Sequence, residues 1–235
     1  MSRQLPLDLS LKDRPSFANF WPGENHTALE AARAVAAGGY GPLYLFGPAG
    51  SGKTHLLAAI AREVQAREPC AFVSLAEART GEWWGLEDLA PDTVVCIDGV
   101  DAVAGDPAGE ARLFVLLEAL APARRLVLAG RSNPAGLGIV RADVRTRLAS
   151  GPVIAMRRLS DEARRHALQH RARLRGLVLT EGASLYLLAH GPRDLKALFA
   201  LLDELDQATL ADQRRLTVPY VRAALARRSM ERGLP

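Results

Sequence analysis

The sequence predicts an α/β fold: a five-stranded parallel sheet with helices on both faces, followed by a small all-helical unit. Three observations carry that prediction. Short apolar runs alternate with stretches of helical periodicity as far as Met156. One strand-to-helix junction is a glycine-rich loop of defined spacing. Beyond Met156 the strand signals stop and only helical patterns continue.

Taken in order, Leu43-Tyr44-Leu45-Phe46 is a short apolar run suited to a buried strand, and after the glycine loop Leu56, Leu57, Ile60 and Val64 fall on one helical face. Further strands are expected at 70–75, 94–98 and 125–129, with a fifth near 153–156. Leu113, Leu116, Leu117 and Leu120 mark a helix between the third and fourth. In the last part Ser160 caps an Arg-rich helix and Thr180 precedes a second. A third carries Leu195, Leu198, Phe199, Leu202 and Leu205, and Thr217 with Pro219 opens a fourth. The expected division is a tail at 1–12, an α/β domain at 13–156 and a helical domain at 157–235.

Residues Gly47-Pro48-Ala49-Gly50-Ser51-Gly52-Lys53-Thr54 fill the pattern GxxxxGK[ST] at every defined position. Glycines let backbone amides close around phosphate oxygens, and the helix start adds its positive dipole end. Lys53 would neutralise β/γ charge, and the Thr54 hydroxyl would ligate Mg²⁺. The run Val94-Val95-Cys96-Ile97 ends in Asp98, an acid placed to hold the same metal. Gly99 follows, with no side chain to polarise an attacking water. Asp101 can substitute only if the strand end bends, which is not expected, so feeble hydrolysis by the isolated chain is.

The 235 residues are 49% hydrophobic and 24% charged, ordinary for a globular protein with a core. A formal net charge of +4 makes the surface mildly basic. There is neither a leader-like start nor an apolar run of membrane-spanning length, so a cytoplasmic protein without membrane contact is expected. Cys70 and Cys96 stand singly in apolar segments, which fits buried free thiols. No Ser-His-Asp or Cys-His arrangement stands out. Trp83-Trp84, in a Gly-flanked loop, fits packing.

An α/β nucleotide domain followed by a helical lid resembles the AAA+ ATPases, and within them the DnaA-type initiator core. The segments that carry this likeness are Pro15-Ser16-Phe17-Ala18-Asn19-Phe20, Ala31-Ala32-Arg33, Tyr40-Gly41-Pro42-Leu43 and the Gly-Lys-Thr-His-Leu-Leu run that ends at Leu57. It spans residues 15 to 228 and leaves out an initiator's helicase-contacting and DNA-reading domains. An initiator core of that extent is similar to the Hda family, the initiator's inactivating homologues.

The resemblance implies an adenine nucleotide, ADP or ATP, on Gly47, Pro48, Ala49, Gly50, Ser51, Gly52, Lys53, Thr54 and His55, with Mg²⁺ at Thr54 and Asp98. Phe20 and Trp21 fall where the family contacts adenine, with core packing as the equal alternative. Arg147, in Val144-Arg145-Thr146-Arg147-Leu148, matches the arginine finger, which would act in trans on a partner's nucleotide; Arg145 is the other possible assignment. Arg193 matches the lid arginine that senses phosphate, with an intrahelical pair as the alternative. The polar sensor after the fourth strand is one of Arg131, Ser132 or Asn133. In such a regulator the partner is the DnaA initiator. Oligomerisation with itself is also open.

Gln4-Leu5-Pro6-Leu7-Asp8-Leu9 looks like the peptide by which bacterial proteins dock into the DNA polymerase III sliding clamp. Gln4 would bond at the rim while Leu5, Leu7 and Leu9 fill an apolar groove. Seven arginines between 157 and 175, against Asp161 and Glu162, would either make weak contact with DNA backbone or form a solvated helix face. The rival functions are a helicase-loading or transposition-helper ATPase, which needs its own hydrolytic acid, and a tether that binds the initiator without touching its nucleotide.

Overall fold

The structure is a computed structural model and describes residues 14–39, 41–76, 89–90, 93–120, 125–208 and 215–231. Gln4, Leu5, Leu7 and Leu9 of the tail, and Trp83-Trp84, lie outside the described residues. The strands are β1 (Leu43–Phe46), β2 (Cys70–Ser74), β3 (Val94–Asp98), β4 (Leu126–Gly130) and β5 (Val153–Ala155). They form one parallel sheet in the order β2-β3-β4-β1-β5. Five strands were expected, and five form the sheet.

Alternation along these strands splits the core in two. Leu43, Leu45, Val94, Cys96, Val127 and Ala129 pack on one face against α1 (His26–Ala36) and α2 (Lys53–Gln65). Tyr44, Val95, Ile97, Leu126 and Leu128 pack on the other against α3 (Pro107–Leu120) and α4 (Ala142–Leu148). Both faces are covered, so these central strands are apolar at successive positions. The register puts Phe46 beside Gly130 and Asp98 beside Ala129, so the carboxyl ends of β1, β3 and β4 line up at one edge. In open parallel sheets that edge is where ligands bind.

Helices α5 (Asp161–Leu174), α6 (Glu181–His190), α7 (Leu195–Ala208) and α8 (Val218–Glu231) enclose a separate core of Leu168, Leu187, Leu198, Leu202 and Val221, all fully buried. Ser160 and Thr180 cap α5 and α6 as expected, each accepting from a backbone amide three residues on. Strand signals were expected to end at Met156, but this unit also holds a parallel ladder of β6 (Val178–Leu179) and β7 (Arg215–Leu216). Two residues per strand are too few to show alternation, so no pattern announces them.

Most of the arginines of 157–175 make contacts inside the molecule. Arg157 pairs with Glu24, Arg164 with Asp161, Arg165 with Glu181 and Arg175 with Asp203, while Arg171 is buried over the Phe199 ring. Arg165, Arg171 and Arg175 tie α5 to its neighbours, while Arg157, Arg158 and Arg173 stay exposed at the surface. The two cysteines sit near each other. Cys70 pairs in register with Val94, which puts Cys96 diagonally across on the same face. Both are free, Cys96 buried and Cys70 half-buried, and the neighbouring Cys70 together with burial pushes the Cys96 thiol up.

Candidate functional site

The glycine loop leaves β1 and closes on itself before α2. At Gly47 the loop passes close to its surroundings: a Cβ there would sit 2.1 Å from the Met156 carbonyl oxygen. Met156 in turn donates its N–H to Phe46 at 2.6 Å, so the loop's entry and the strand exit from β5 are locked together. Lys53, at the first position of α2, folds back over the loop. Its ammonium donates to the Gly47 and Pro48 carbonyls at 2.7 and 3.0 Å. Burial lowers its pKa, opposed by the charges of Asp98 and Asp101.

Thr54 donates its hydroxyl to Asp98 at 2.5 Å, bringing together the two proposed metal-holding side chains. Burial raises the Asp98 pKa, against the Thr54 hydrogen bond and the Lys53 charge. A hydroxyl and a carboxylate beside an ammonium suit a Mg²⁺-bound polyphosphate, because two oxygen donors face the cation and the loop supplies the anion's amides. Among the described residues no cluster of three His, Cys, Asp or Glu offers an all-protein metal site. Magnesium that shares its shell with phosphate needs no such cluster.

Past Asp98 the chain does bend, against expectation. Gly99 lies in the left-handed region at φ 74, and a short 3-10 turn at Val100–Val103 follows. That turn brings Asp101 back toward Lys53. Its carboxylate is committed, however: it accepts from the Arg131 backbone N–H at 3.0 Å and pairs with the Arg131 Nε at 3.1 Å. The three residues after β4 differ in their contacts. Asn133 accepts from Gly136 as a cap, Ser132 gives its carbonyl to the Tyr44 hydroxyl, and Arg131 is the one whose charge reaches Lys53.

Phe20 is buried against Gly52, whose missing Cβ would meet its ring at 2.8 Å, and stands 5.4 Å from the His55 ring. His55 turns its Nε2 to the Ser16 carbonyl at 3.1 Å. Burial drives its pKa down to about 4, so the ring is neutral and holds the chain that leads into α1. Trp21 lies between two rings of α5, 5.8 Å from His166 and 5.5 Å from His170. His170 also bonds the Ala18 carbonyl at 2.8 Å. Residues 16–21 therefore form a strap between the glycine loop's helix and the lid.

Two residues at the hinge went unnoticed in the sequence. Arg158 donates its Nε to the Ala49 carbonyl at 2.7 Å, touching the glycine loop itself. Asn25 is buried and grips the Arg157 main chain from both sides, accepting its N–H at 2.8 Å and donating to its carbonyl at 2.9 Å. Asn25 precedes a helix and looks like an ordinary cap, yet its side chain makes no cap hydrogen bond. Arg158 belongs to no spaced motif, so only proximity identifies it.

The two arginines of α4 separate clearly. Arg145 donates to the Ile139 and Val140 carbonyls at 2.6 and 2.8 Å and is spent inside the fold. Arg147 is exposed and paired at the surface with Glu118 of α3. Arg193 is exposed in the bend before α7, its carbonyl taken by Arg164 at 2.6 Å. The next residue, Asp194, caps α7 by accepting from Ala197.

Comparison with known proteins bears on both halves. Residues 11–80 match the bacterial DnaA ATPase domain, and residues 161–234 match the lid domain of Hda. Among solved structures, domain III of the Thermotoga maritima replication initiation protein DnaA superposes with a TM-score of 0.70 at 21% identity, covering 90% of this chain and 95% of that one. The AMPPCP-bound DnaA of Aquifex aeolicus gives 0.68 at 18% identity, over 93% and 69%. The Thermotoga maritima RuvB Holliday junction branch migration motor gives 0.61 at 19%, over 90% and 73%. At these identities the superpositions speak for the fold.

Proposed function

We propose, from the premise that the chain is a DnaA-homologous AAA+ protein with an Hda-type lid, that it is a nucleotide-held regulator of the initiator. Its own adenine nucleotide, ADP or ATP, would lie on Gly47 to Thr54, with Lys53 leaving the Gly47 and Pro48 carbonyls for phosphate. Thr54 and Asp98 would hold Mg²⁺, and Arg131 and Arg193 would face the nucleotide from β4 and the lid. When bound, the nucleotide and its metal supply charge that fixes the glycine loop and, through Arg158 and the strap at 16–21, the lid.

The action falls on the partner. Arg147 reaches the γ-phosphate of an ATP held by a DnaA subunit, where its planar cation stabilises the charge that develops as water displaces ADP. An arginine supplied in trans is worth about 10³–10⁵ in rate. The observation that carries this reading is the division of labour on α4: Arg145 is tied to main-chain carbonyls while Arg147 faces out. A peptide at Gln4, Leu5, Leu7 and Leu9 would hold the regulator on the sliding clamp, hence on replicated DNA. Conversion of ATP–DnaA to ADP–DnaA would then restrain a second initiation.

A helicase-loading or transposition-helper ATPase would need its own water-polarising acid. Gly99 has no side chain, and Asp101 is already held by Arg131, so the trans reading is preferred. The deciding experiment measures turnover of ATP–DnaA with clamp, DNA and this protein, omitting each in turn. Stimulation that needs all of them supports the regulator. Stimulation unchanged in Arg147→Ala refutes a finger at that position, and no stimulation by the wild-type chain leaves the tether.

A further inference from the structure

Glu110, in the first turn of α3, is fully buried and has no place in the function just described. Its carboxylate faces main chain. It accepts from Gly105 N–H at 2.9 Å, from Val140 N–H at 3.0 Å on both oxygens, and from Arg141 N–H at 2.9 Å. Burial works against its charge, yet these amides hold the carboxyl below the usual carboxylate range. Val140 and Arg141 are the last residues before α4, the helix that carries Arg147. The same short segment is gripped from the opposite polarity by Arg145, whose guanidinium binds the Ile139 and Val140 carbonyls. A buried anion on its N–H groups and a cation on its C=O groups leave this turn no hydrogen-bonding alternative.

We propose that Glu110 is a positioning residue for Arg147, fixing the start of α4 on α3 so that the finger is presented at one angle to the partner's nucleotide. The inference rests on the trans-acting reading of Arg147. A seven-residue helix is too short to hold itself, so its direction comes from Val144 and Leu148 packed in the core together with what grips its first turn. A finger displaced by about an ångström loses up to about a hundredfold in rate, since it must meet a transition state and not merely a surface.

The test uses Glu110→Gln in the full chain, which keeps the side-chain volume but turns an N–H toward the amides. Arg145→Ala is the second variant, since it loosens the same turn without leaving a polar group among the amides. Amide hydrogen exchange is expected to speed up at least about tenfold across 140–148, with α2 and adenine-nucleotide affinity unchanged. Saturated turnover of ATP–DnaA is expected to fall about tenfold or more while the half-saturating concentration stays put, a split that general destabilisation would not produce. Exchange across 140–148 that matches wild type in both variants, or a lower Tm with saturated turnover intact, overturns the inference. A wild-type chain that fails to stimulate the initiator defeats the parent reading instead, and exchange at 140–148 then judges Glu110's hold on the helix by itself.

Discussion

Lys53 donates to two carbonyls of its own loop, so phosphate must win it from the main chain. Hydrogen bonds to charged groups are worth about 1.5–3 kcal/mol, and Lys53→Ala should weaken adenine-nucleotide binding roughly tenfold to a hundredfold by calorimetric titration. Affinity equal to wild type would place the phosphates elsewhere. His55 gives a pH prediction with a definite sign. Its folded pKa, about 4, lies below the ordinary value near 6.5. Between the two the unfolded chain binds the extra proton, so stability present above pH 6.5 is lost as pH falls toward 4. The loss approaches about 3 kcal/mol for a shift of this size. Urea unfolding at pH 7 and pH 4.5 checks it, and His55→Gln should flatten that dependence. The loop, Lys53, Thr54 and Asp98 were legible because their spacing is the chemistry. Arg158 and Glu110 were not, since each acts on main chain brought close only by folding.

At the scale of elements, the strands were found because each is apolar along its length, and their ends agree with expectation to within a residue at most. Arg125, expected to begin β4, is instead a buried partner of Glu68 just ahead of it. The junction of β1 with β5 makes the sharpest demand on sequence. Gly47→Ala must drive a Cβ into the Met156 carbonyl, and backbone at both positions has nowhere to retreat. Loss of several °C in Tm together with loss of nucleotide binding is expected, because the loop and the hinge share this contact. A variant with wild-type Tm would mean that the two segments separate readily. Two short elements, β6 and β7, were invisible for want of length, since two residues each cannot show alternation.

Across the whole molecule, the lid is attached to the α/β domain by a few polar contacts at the hinge and by the strap of residues 16–21. Asn25 makes two of them, both to Arg157. Asn25→Ala removes both hydrogen bonds to the Arg157 main chain, at a cost of about 0.5–1.5 kcal/mol for each. The expected result is faster proteolytic cleavage within residues 156–160, slowed again by saturating nucleotide if the nucleotide joins loop to lid. Cleavage at the wild-type rate would move the hinge's support elsewhere. Among the described residues no helix is long and apolar enough to cross a membrane.

The sequence by itself determined the five strands, the helix faces, the glycine loop and its acid, because local periodicity and fixed spacing are enough to specify them. Only the tertiary structure decided which arginine of α4 is turned outward, that Arg131 pairs with Asp101, and that most of the arginines between 157 and 175 bind the protein's own groups. A charged side chain's role depends on what lies within about 4 Å of its tip, and those neighbours come from segments as many as 133 residues away.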